Sequence, residues 1–181
     1  MRTITAAAVA NFFIRKALAE GMVITHLKVQ KLLYLAYGWH VAAYKRTLWQ
    51  EPLQAWQYGP VVASVYKMLR SYGNMPITAP ISQSEAYACT NERGSVELDT
   101  TADAHAVAFL DLIWNTFKKF SAEELTNYSH VPGSPWRDLF VQYAGTIPNH
   151  LDLQPEKIQM YFERERERLK FDPAQLLQEH A

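Results

Sequence analysis

Apolar residues recur at helical spacing along most of the chain. Over residues 5–20, Val9, Phe13 and Ala17 lie on one side of a predicted helix, and Gly21 is a natural stop for it. The same spacing, together with N-cap residues and prolines at helix starts, predicts the remaining helices. They cover residues 25–46, 61–72, 101–120 and 121–129, with further helices opening at Pro135, Pro155 and Pro173. The pattern is typical of a mainly α protein.

Two segments between these helices depart from the helical pattern. Residues 48–58 alternate roughly between apolar and polar side chains around Pro52, and residues 81–98 hold a short strand-like stretch within a polar loop. Both are predicted as minor, short β structure. No internal repeat and no long linker divides the chain. We therefore predict a single compact helical domain over residues 1–170 with this minor β element, followed by a C-terminal tail, residues 171–181.

The predicted helix over residues 25–46 is apolar on almost every side, which places it near the centre of the domain. Lys28, Gln30 and Lys31 interrupt this pattern. Two ammonium groups one turn apart would be costly to bury without partners, so Lys28 and Lys31 are predicted to line an accessible edge of the helix. Tyr34 adds aromatic area and a hydroxyl group beside them.

Charge and cysteine content narrow the function classes. Eighteen basic and eighteen acidic side chains give a formal net charge of zero, so the chain lacks the overall attraction that drives nonspecific nucleic-acid binding. The single cysteine, Cys89, excludes an intrachain disulfide and a cysteine metal cluster, as expected in a reducing compartment. No signal peptide is predicted, and no apolar run approaches the roughly 20 residues that cross a bilayer. We expect a cytoplasmic protein without membrane contact.

The sequence carries no catalytic or metal-binding pattern. His26 and His40 would lie about 21 Å apart on one helix, at about 1.5 Å per residue, so they cannot share an ion. Cys89 stands alone, and neither a serine elbow nor a phosphate loop is present. We therefore predict no catalytic residue, no metal and no cofactor. His40 is predicted to be a buried neutral imidazole with one hydrogen bond, whereas His130 either fixes its loop or organises a functional surface.

Two segments at fixed spacing resemble a known family. The first is Thr-His-Leu-Lys-Val-Gln-Lys-Leu-Leu-Tyr-Leu-Ala-Tyr-Gly-Trp at residues 25–39, and the second is Ala-Trp-Gln-Tyr-Gly-Pro-Val at residues 55–61. Together with His130 and the later Pro135-Trp136 pair, they resemble the Panacea antitoxin domain of the SocA-like and phage-associated GepA-like proteins of toxin-antitoxin systems. The resemblance extends over about residues 9–136.

This resemblance implies that residues 1–170 form a Panacea-like antitoxin domain. Such a domain is expected to neutralise a cognate toxin, encoded by an adjacent gene, through direct protein contact and without catalysis. The matching polar and aromatic positions are then candidate partner contacts, because aromatic residues beside a few polar groups are typical of binding hot spots. These candidates are Lys28, Gln30, Lys31, Tyr34, Trp56, Tyr58, Gly59, Pro60, His130 and Trp136.

Three other functions stay open at this point. Within the same class, the protein is an adaptor that delivers a bound toxin to a protease. From a different class, it is a small hydrolase or transferase that uses His130 near Trp136 and Asp138. Nucleic-acid binding through Lys28, Lys31 and Arg70 is disfavoured by the zero net charge. The sequence gives neither the identity of the toxin nor the oligomeric state.

Overall fold

The computed structural model describes residues 3–91 and 94–179, and its fold is mainly α, which confirms the predicted class. Its helices are α1 (Ala6–Ala19), α2 (His26–Tyr44), α3 (Ala63–Leu69), α4 (Gln83–Thr90), α5 (Ala104–Phe117), α6 (Ala122–Ser129), α7 (Pro135–Gln142), α8 (Pro155–Leu169) and α9 (Pro173–Glu179). A 3-10 turn, Arg70–Tyr72, follows α3. The strands are β1 (Gln54–Trp56), β2 (Gly59–Val61) and β3 (Leu151–Asp152).

Helix α2 forms the centre of the fold. The Thr25 hydroxyl caps its N-terminus by accepting a hydrogen bond from the main-chain N–H of Lys28 at 3.3 Å. Every residue from 28 to 42 is buried, because α1, α3, α5, α6, α8 and α9 all contact this helix. Even so, no helix in the described part of the chain is long and apolar enough to span a membrane. A polar side chain in the middle of α2 must therefore find its partner inside the protein.

The closest helix pair is α2 against α8, and it depends on a glycine. The Phe162 ring of α8 lies directly over Gly38 of α2, where a Cβ would come within 2.1 Å of the ring. Three aromatic rings hold Phe162 in this place: Tyr34, Trp39 and Tyr161 pack edge-on against it at centroid distances of 5.3, 5.1 and 5.2 Å. Because Phe162 cannot rotate away, this position of α2 tolerates no side chain.

The three strands form a small antiparallel sheet in the order β2-β1-β3. Strands β1 and β2 are a tight hairpin in which Trp56 pairs with Gly59 and Gln54 with Val61. Strand β1 lies within residues 48–58, where β structure was predicted. Strand β3 was not predicted, because it is only two residues long and has no alternating pattern of its own. The sheet places the hairpin corner against α2.

The β structure predicted within residues 81–98 is absent from the described residues of this stretch, 81–91 and 94–98. Residues 83–90 form α4, which begins with a capping box: the Ser82 hydroxyl accepts from the main-chain N–H of Glu85, and the Glu85 carboxylate accepts from that of Ser82. The stretch at 95–98 is not a strand. Its carbonyl groups at Ser95 and Val96 instead accept hydrogen bonds from the side chains of Thr5, the N-cap of α1, and of Asn11 within α1. The hydrogen-bond partners of these two carbonyl groups are thus side chains and not a neighbouring strand.

The beginning of the predicted C-terminal tail packs against the same core. The Phe171 ring lies edge-on to Trp39 of α2 at 4.8 Å and to Phe117 of α5 at 6.3 Å. Helix α9 follows and contacts both of these helices. The division of the chain at residue 170 stays a prediction.

Gly38→Ala tests the contact between α2 and α8. In an isolated helix alanine is favoured over glycine by about 1 kcal/mol. Here we expect a loss of about 1–3 kcal/mol in the free energy of unfolding, because the new methyl group overlaps the Phe162 ring. Urea denaturation of Gly38→Ala, Phe162→Leu and the double variant measures the coupling. The smaller leucine should recover part of the loss, and strictly additive effects would contradict the proposed overlap.

Candidate functional site

The corner of the β1–β2 hairpin is held on α2 by a buried lysine. The Lys31 ammonium group donates a hydrogen bond to the main-chain carbonyl of Tyr58 at 3.1 Å. Gly59 follows with φ +115°, a conformation that L residues rarely adopt, and a Cβ at this position would lie 2.1 Å from Lys31 Nζ. Glycine is needed here both for the turn and for the close approach of the ammonium group.

A second contact to the hairpin comes from the loop between α6 and α7. The indole N–H of Trp136 donates to the main-chain carbonyl of Trp56 at 2.7 Å. The His130 ring stacks on Trp136 with a centroid distance of 3.7 Å and an interplanar angle of 13°. The Ser134 hydroxyl donates to the carbonyl of Ser129 at 2.8 Å and so fixes the loop. The His130 ring is held here by stacking, and both roles predicted for it stay open.

Gln30 supplies the third contact, just beyond the hairpin. Its amide oxygen accepts from the main-chain N–H of Val62 at 2.8 Å, and its amide nitrogen donates to the carbonyl of the same residue at 3.4 Å. We refer to Gln30, Lys31, Gly59, His130 and Trp136 as the hairpin frame. Gly59 belongs to the hairpin itself, and the other four residues come from α2 and the α6–α7 region, so the hairpin is attached to two separate parts of the chain.

The prediction that Lys28 and Lys31 line an accessible edge is wrong. Their exposed fractions are 8% and 1%. Each ammonium group donates to a main-chain carbonyl: Lys28 to Lys118 at 2.6 Å and Lys31 to Tyr58. Burial lowers the pKa of Lys28, with a partial opposing effect from Glu124, and lowers that of Lys31 to about 7. Main-chain acceptors make this burial possible, although it disfavours the charged forms.

Few of the predicted contact residues are accessible. Tyr58 is 82% exposed at the tip of the hairpin, while Trp56 and His130 are partly buried. The other predicted contacts are buried: Lys28, Gln30, Lys31, Tyr34, Gly59, Pro60 and Trp136. The Tyr34 hydroxyl lies inside the fold beside Tyr161 and Tyr128, and burial raises its pKa well above the usual value. Several of these residues therefore support the hairpin, and Tyr58 at its tip is the most exposed of them.

An open groove of about 930 Å³ lies beside the hairpin frame. Its walls come from the N-terminal half of α2, the hairpin, α3 with the following 3-10 turn, and residues 146–150. Three rings form a continuous row along it: His26 lies 4.7 Å from Tyr66, which lies 4.7 Å from Trp56. Gln30, Lys31 and Tyr58 also line the groove. Four of the predicted contact residues thus meet at one concave surface.

Sequence reasoning missed part of this groove. Tyr66 follows the apolar spacing of α3, which predicts an inward-facing ring, yet this ring is 36% exposed. Arg70 was considered only as a nucleic-acid contact, and it lies at the groove. Residues 146–150 have no periodic pattern, so nothing in the sequence indicated that they form a wall.

The remaining candidates for chemistry are structural. His40 is buried, its Nδ1 lies 2.9 Å from the carbonyl of Arg46, and burial lowers its pKa to about 4, in agreement with the predicted neutral imidazole. Burial, followed by the charge of Lys31, lowers the pKa of His130 to about 4 as well. Within residues 3–91 and 94–179, no three His, Cys, Asp or Glu side chains are grouped closely enough to hold a metal ion.

Comparison with known proteins now identifies the family. The family model of the SocA-like antitoxin Panacea domain matches residues 29–137, which is more than half of the chain. The chain belongs to this antitoxin family. It is also similar to the antitoxin SocA of Caulobacter vibrioides, with 28% identity over 145 residues that cover 80% of this chain and 74% of that protein. No solved structure matches the chain.

The matched Panacea domain contains the whole hairpin frame. It begins inside α2, passes through the hairpin and α6, and ends just after Trp136 in α7. The groove wall at residues 146–150 lies outside the matched segment. The five residues of the hairpin frame are thus all among those on which the resemblance rested.

Gly59→Ala tests the hairpin frame. We expect a loss of at least about 2 kcal/mol in the free energy of unfolding, because the backbone conformation is strained for alanine and the methyl group overlaps Lys31 Nζ. The matched control is Gly21→Ala, which also has positive φ but has no atom within 4 Å of the new methyl group, and should cost about 1 kcal/mol. Equal losses in urea denaturation would contradict the close approach of Lys31.

The low pKa values of His40 and His130 predict acid sensitivity. The unfolded histidines take up protons near pH 6.5, whereas the folded ones do so only near pH 4. Their contribution to stability is therefore present above pH 6.5 and is lost as the pH falls towards 4. In urea denaturation at pH 7 and 4.5, His40→Gln and His130→Gln should each reduce this loss by about 1–2 kcal/mol. The low histidine pKa values would be contradicted if the free energy of unfolding fell by the same amount between pH 7 and 4.5 in the unaltered protein and in both variants.

Proposed function

We propose that this protein is a cytoplasmic antitoxin that neutralises a toxin encoded by an adjacent gene through direct binding and without catalysis. Membership of the SocA-like antitoxin family carries this proposal, because it implies a toxin partner. The similarity to the Caulobacter vibrioides antitoxin supports the same role. The groove beside the hairpin is the surface that we assign to the toxin.

The composition of the groove suits a protein partner. Protein-binding hot spots are enriched in tyrosine, tryptophan and arginine, and Trp56, Tyr58, Tyr66 and Arg70 all line this surface. The hairpin frame fixes the backbone beneath Trp56 and Tyr58, so little conformational entropy remains to be lost on binding. Tyr58 is the most exposed of these rings and is the first residue that we assign to direct contact.

A catalytic role for the His130 region has less support. The imidazole is stacked on Trp136 and is part of the hairpin frame, so it is packed to hold structure. Its pKa of about 4 makes it a weak base at neutral pH. Asp138, the third residue considered for such a site, lies exposed on α7 and has no hydrogen bond to His130.

Co-expression with the adjacent gene product tests the proposal. We expect the antitoxin to restore growth and to co-elute with the toxin at micromolar concentration. Tyr58→Ala should weaken the complex about tenfold or more, as for a hot-spot aromatic residue, without lowering the melting temperature. Tyr87→Ala is the matched control, because this tyrosine is exposed on α4 and does not line the groove. Failure to rescue and to co-elute would remove the proposed function.

The same cells distinguish a blocking antitoxin from a proteolytic adaptor. A blocking antitoxin leaves the amount of toxin unchanged, whereas an adaptor lowers it in a way that deletion of a protease reverses. We expect the toxin to persist in the complex, since the support described above concerns binding alone. A protease-dependent loss of toxin would instead identify the adaptor function and add a protease to the partners.

A further inference from the structure

The groove carries positive charge without a balancing carboxylate. Lys31 and Arg70 line it, and no aspartate or glutamate does, although the chain as a whole has equal numbers of acidic and basic residues. A carboxylate, Glu124, partly offsets the burial of Lys28, whereas burial acts alone on Lys31. Arg70 forms no ion pair within the described residues. Arg70 is thus available to an acidic ligand, whereas Lys31 lies buried beneath the groove.

A second observation comes from the aromatic row. His26 is only 7% exposed, and its Nε2 has no hydrogen-bond partner in the part of the chain that the structure describes. Buried polar atoms in native proteins usually have a partner. This atom belongs to a groove-lining residue whose ring packs at a tilt against Tyr66. The groove is therefore lined by aromatic rings, by Arg70, which has no ion-pair partner among the described residues, by the buried Lys31, and by a histidine whose Nε2 lacks a partner there.

We propose that the groove binds an acidic segment of the toxin, with a carboxylate directed to Arg70 at the rim and apolar side chains packed along the row His26, Tyr66 and Trp56. The inference rests on the proposed function and specifies the chemistry of its partner. Lys31 lies too deep for direct contact and contributes positive potential from the base of the groove, where the low dielectric strengthens its effect. A bound carboxylate would in turn stabilise its protonated form.

A peptide fits these features better than a nucleic acid does. A nucleic-acid surface usually carries a broad basic patch, and this chain has zero net charge. The volume of about 930 Å³ and the open shape accommodate several side chains of an extended segment. Charge complementarity of this kind governs association rate and specificity.

Charge reversal at the rim tests the inference. Arg70→Glu should weaken toxin binding at least tenfold in a titration, and Arg70→Lys should retain most of the affinity. Lys67→Glu is the matched control, because Lys67 is an exposed cation on α3 that does not line the groove, and it should change the affinity less than twofold. Unchanged melting temperatures of the variants would exclude unfolding as the cause of weaker binding.

A second variant changes the groove wall formed by residues 146–150. His150 lines the groove with φ +60°, a conformation that aspartate tolerates better than most residues. His150→Asp should weaken toxin binding about fivefold or more and should add to the effect of Arg70→Glu. An Asp→Lys or Glu→Lys replacement in the toxin that restores binding to Arg70→Glu would locate the acidic segment.

The outcomes separate this inference from the proposed function. Absence of any toxin complex with the unaltered protein overturns both. A complex that forms but is equally tight with Arg70→Glu and His150→Asp overturns only the inference. Saturable binding of a mononucleotide such as GMP that Arg70→Glu abolishes would assign the groove to a nucleotide and would overturn it as well.

Discussion

The buried ammonium group of Lys31 is the constraint on which the arrangement of the hairpin depends. It lies in the middle of a helix that is covered on all sides, so its hydrogen-bond acceptor must come from the protein itself. The carbonyl of Tyr58 supplies it, and only glycine at position 59 lets the chain pass so closely. His130 and Trp136 then complete the enclosure from a distant part of the sequence. These residues are far apart in the sequence, and they come together around the Lys31 ammonium group.

Stability alone does not explain this arrangement. Burial lowers the pKa of Lys31 from 10.5 to about 7, so holding its ammonium form inside the fold costs stability at neutral pH and below. Replacing buried charged residues by well-packed apolar ones often leaves the stability of a protein unchanged or raises it. The ammonium group is better explained by what it provides: a fixed hairpin corner and positive potential at the base of a groove that has no carboxylate of its own.

Local signals predicted most of the fold. Cap residues and prolines marked the starts of α1, α2, α6, α7 and α8 closely, because these signals act within a few residues of the helix end. Helix α4 was missed although its capping box is equally local, since prolines and small polar residues around it favoured a loop. The burial of Lys28 and Lys31 was not predictable in this way. Their acceptors lie 90 and 27 residues away in the sequence, and no local pattern reports them.

The site was predictable only as far as the family pattern reached. That pattern selected residues that hold the hairpin, whereas Arg70 and His150 line the groove from segments without such a signal. The side chains that hold the hairpin in position are thus different from those that we assign to partner contact. Substitutions at Tyr58, Arg70 or His150 change the surface that a partner meets without disturbing the buried hydrogen bonds beneath it. On the proposed function, a change at a few exposed positions would alter toxin specificity while the buried hydrogen bonds that hold the hairpin stay intact.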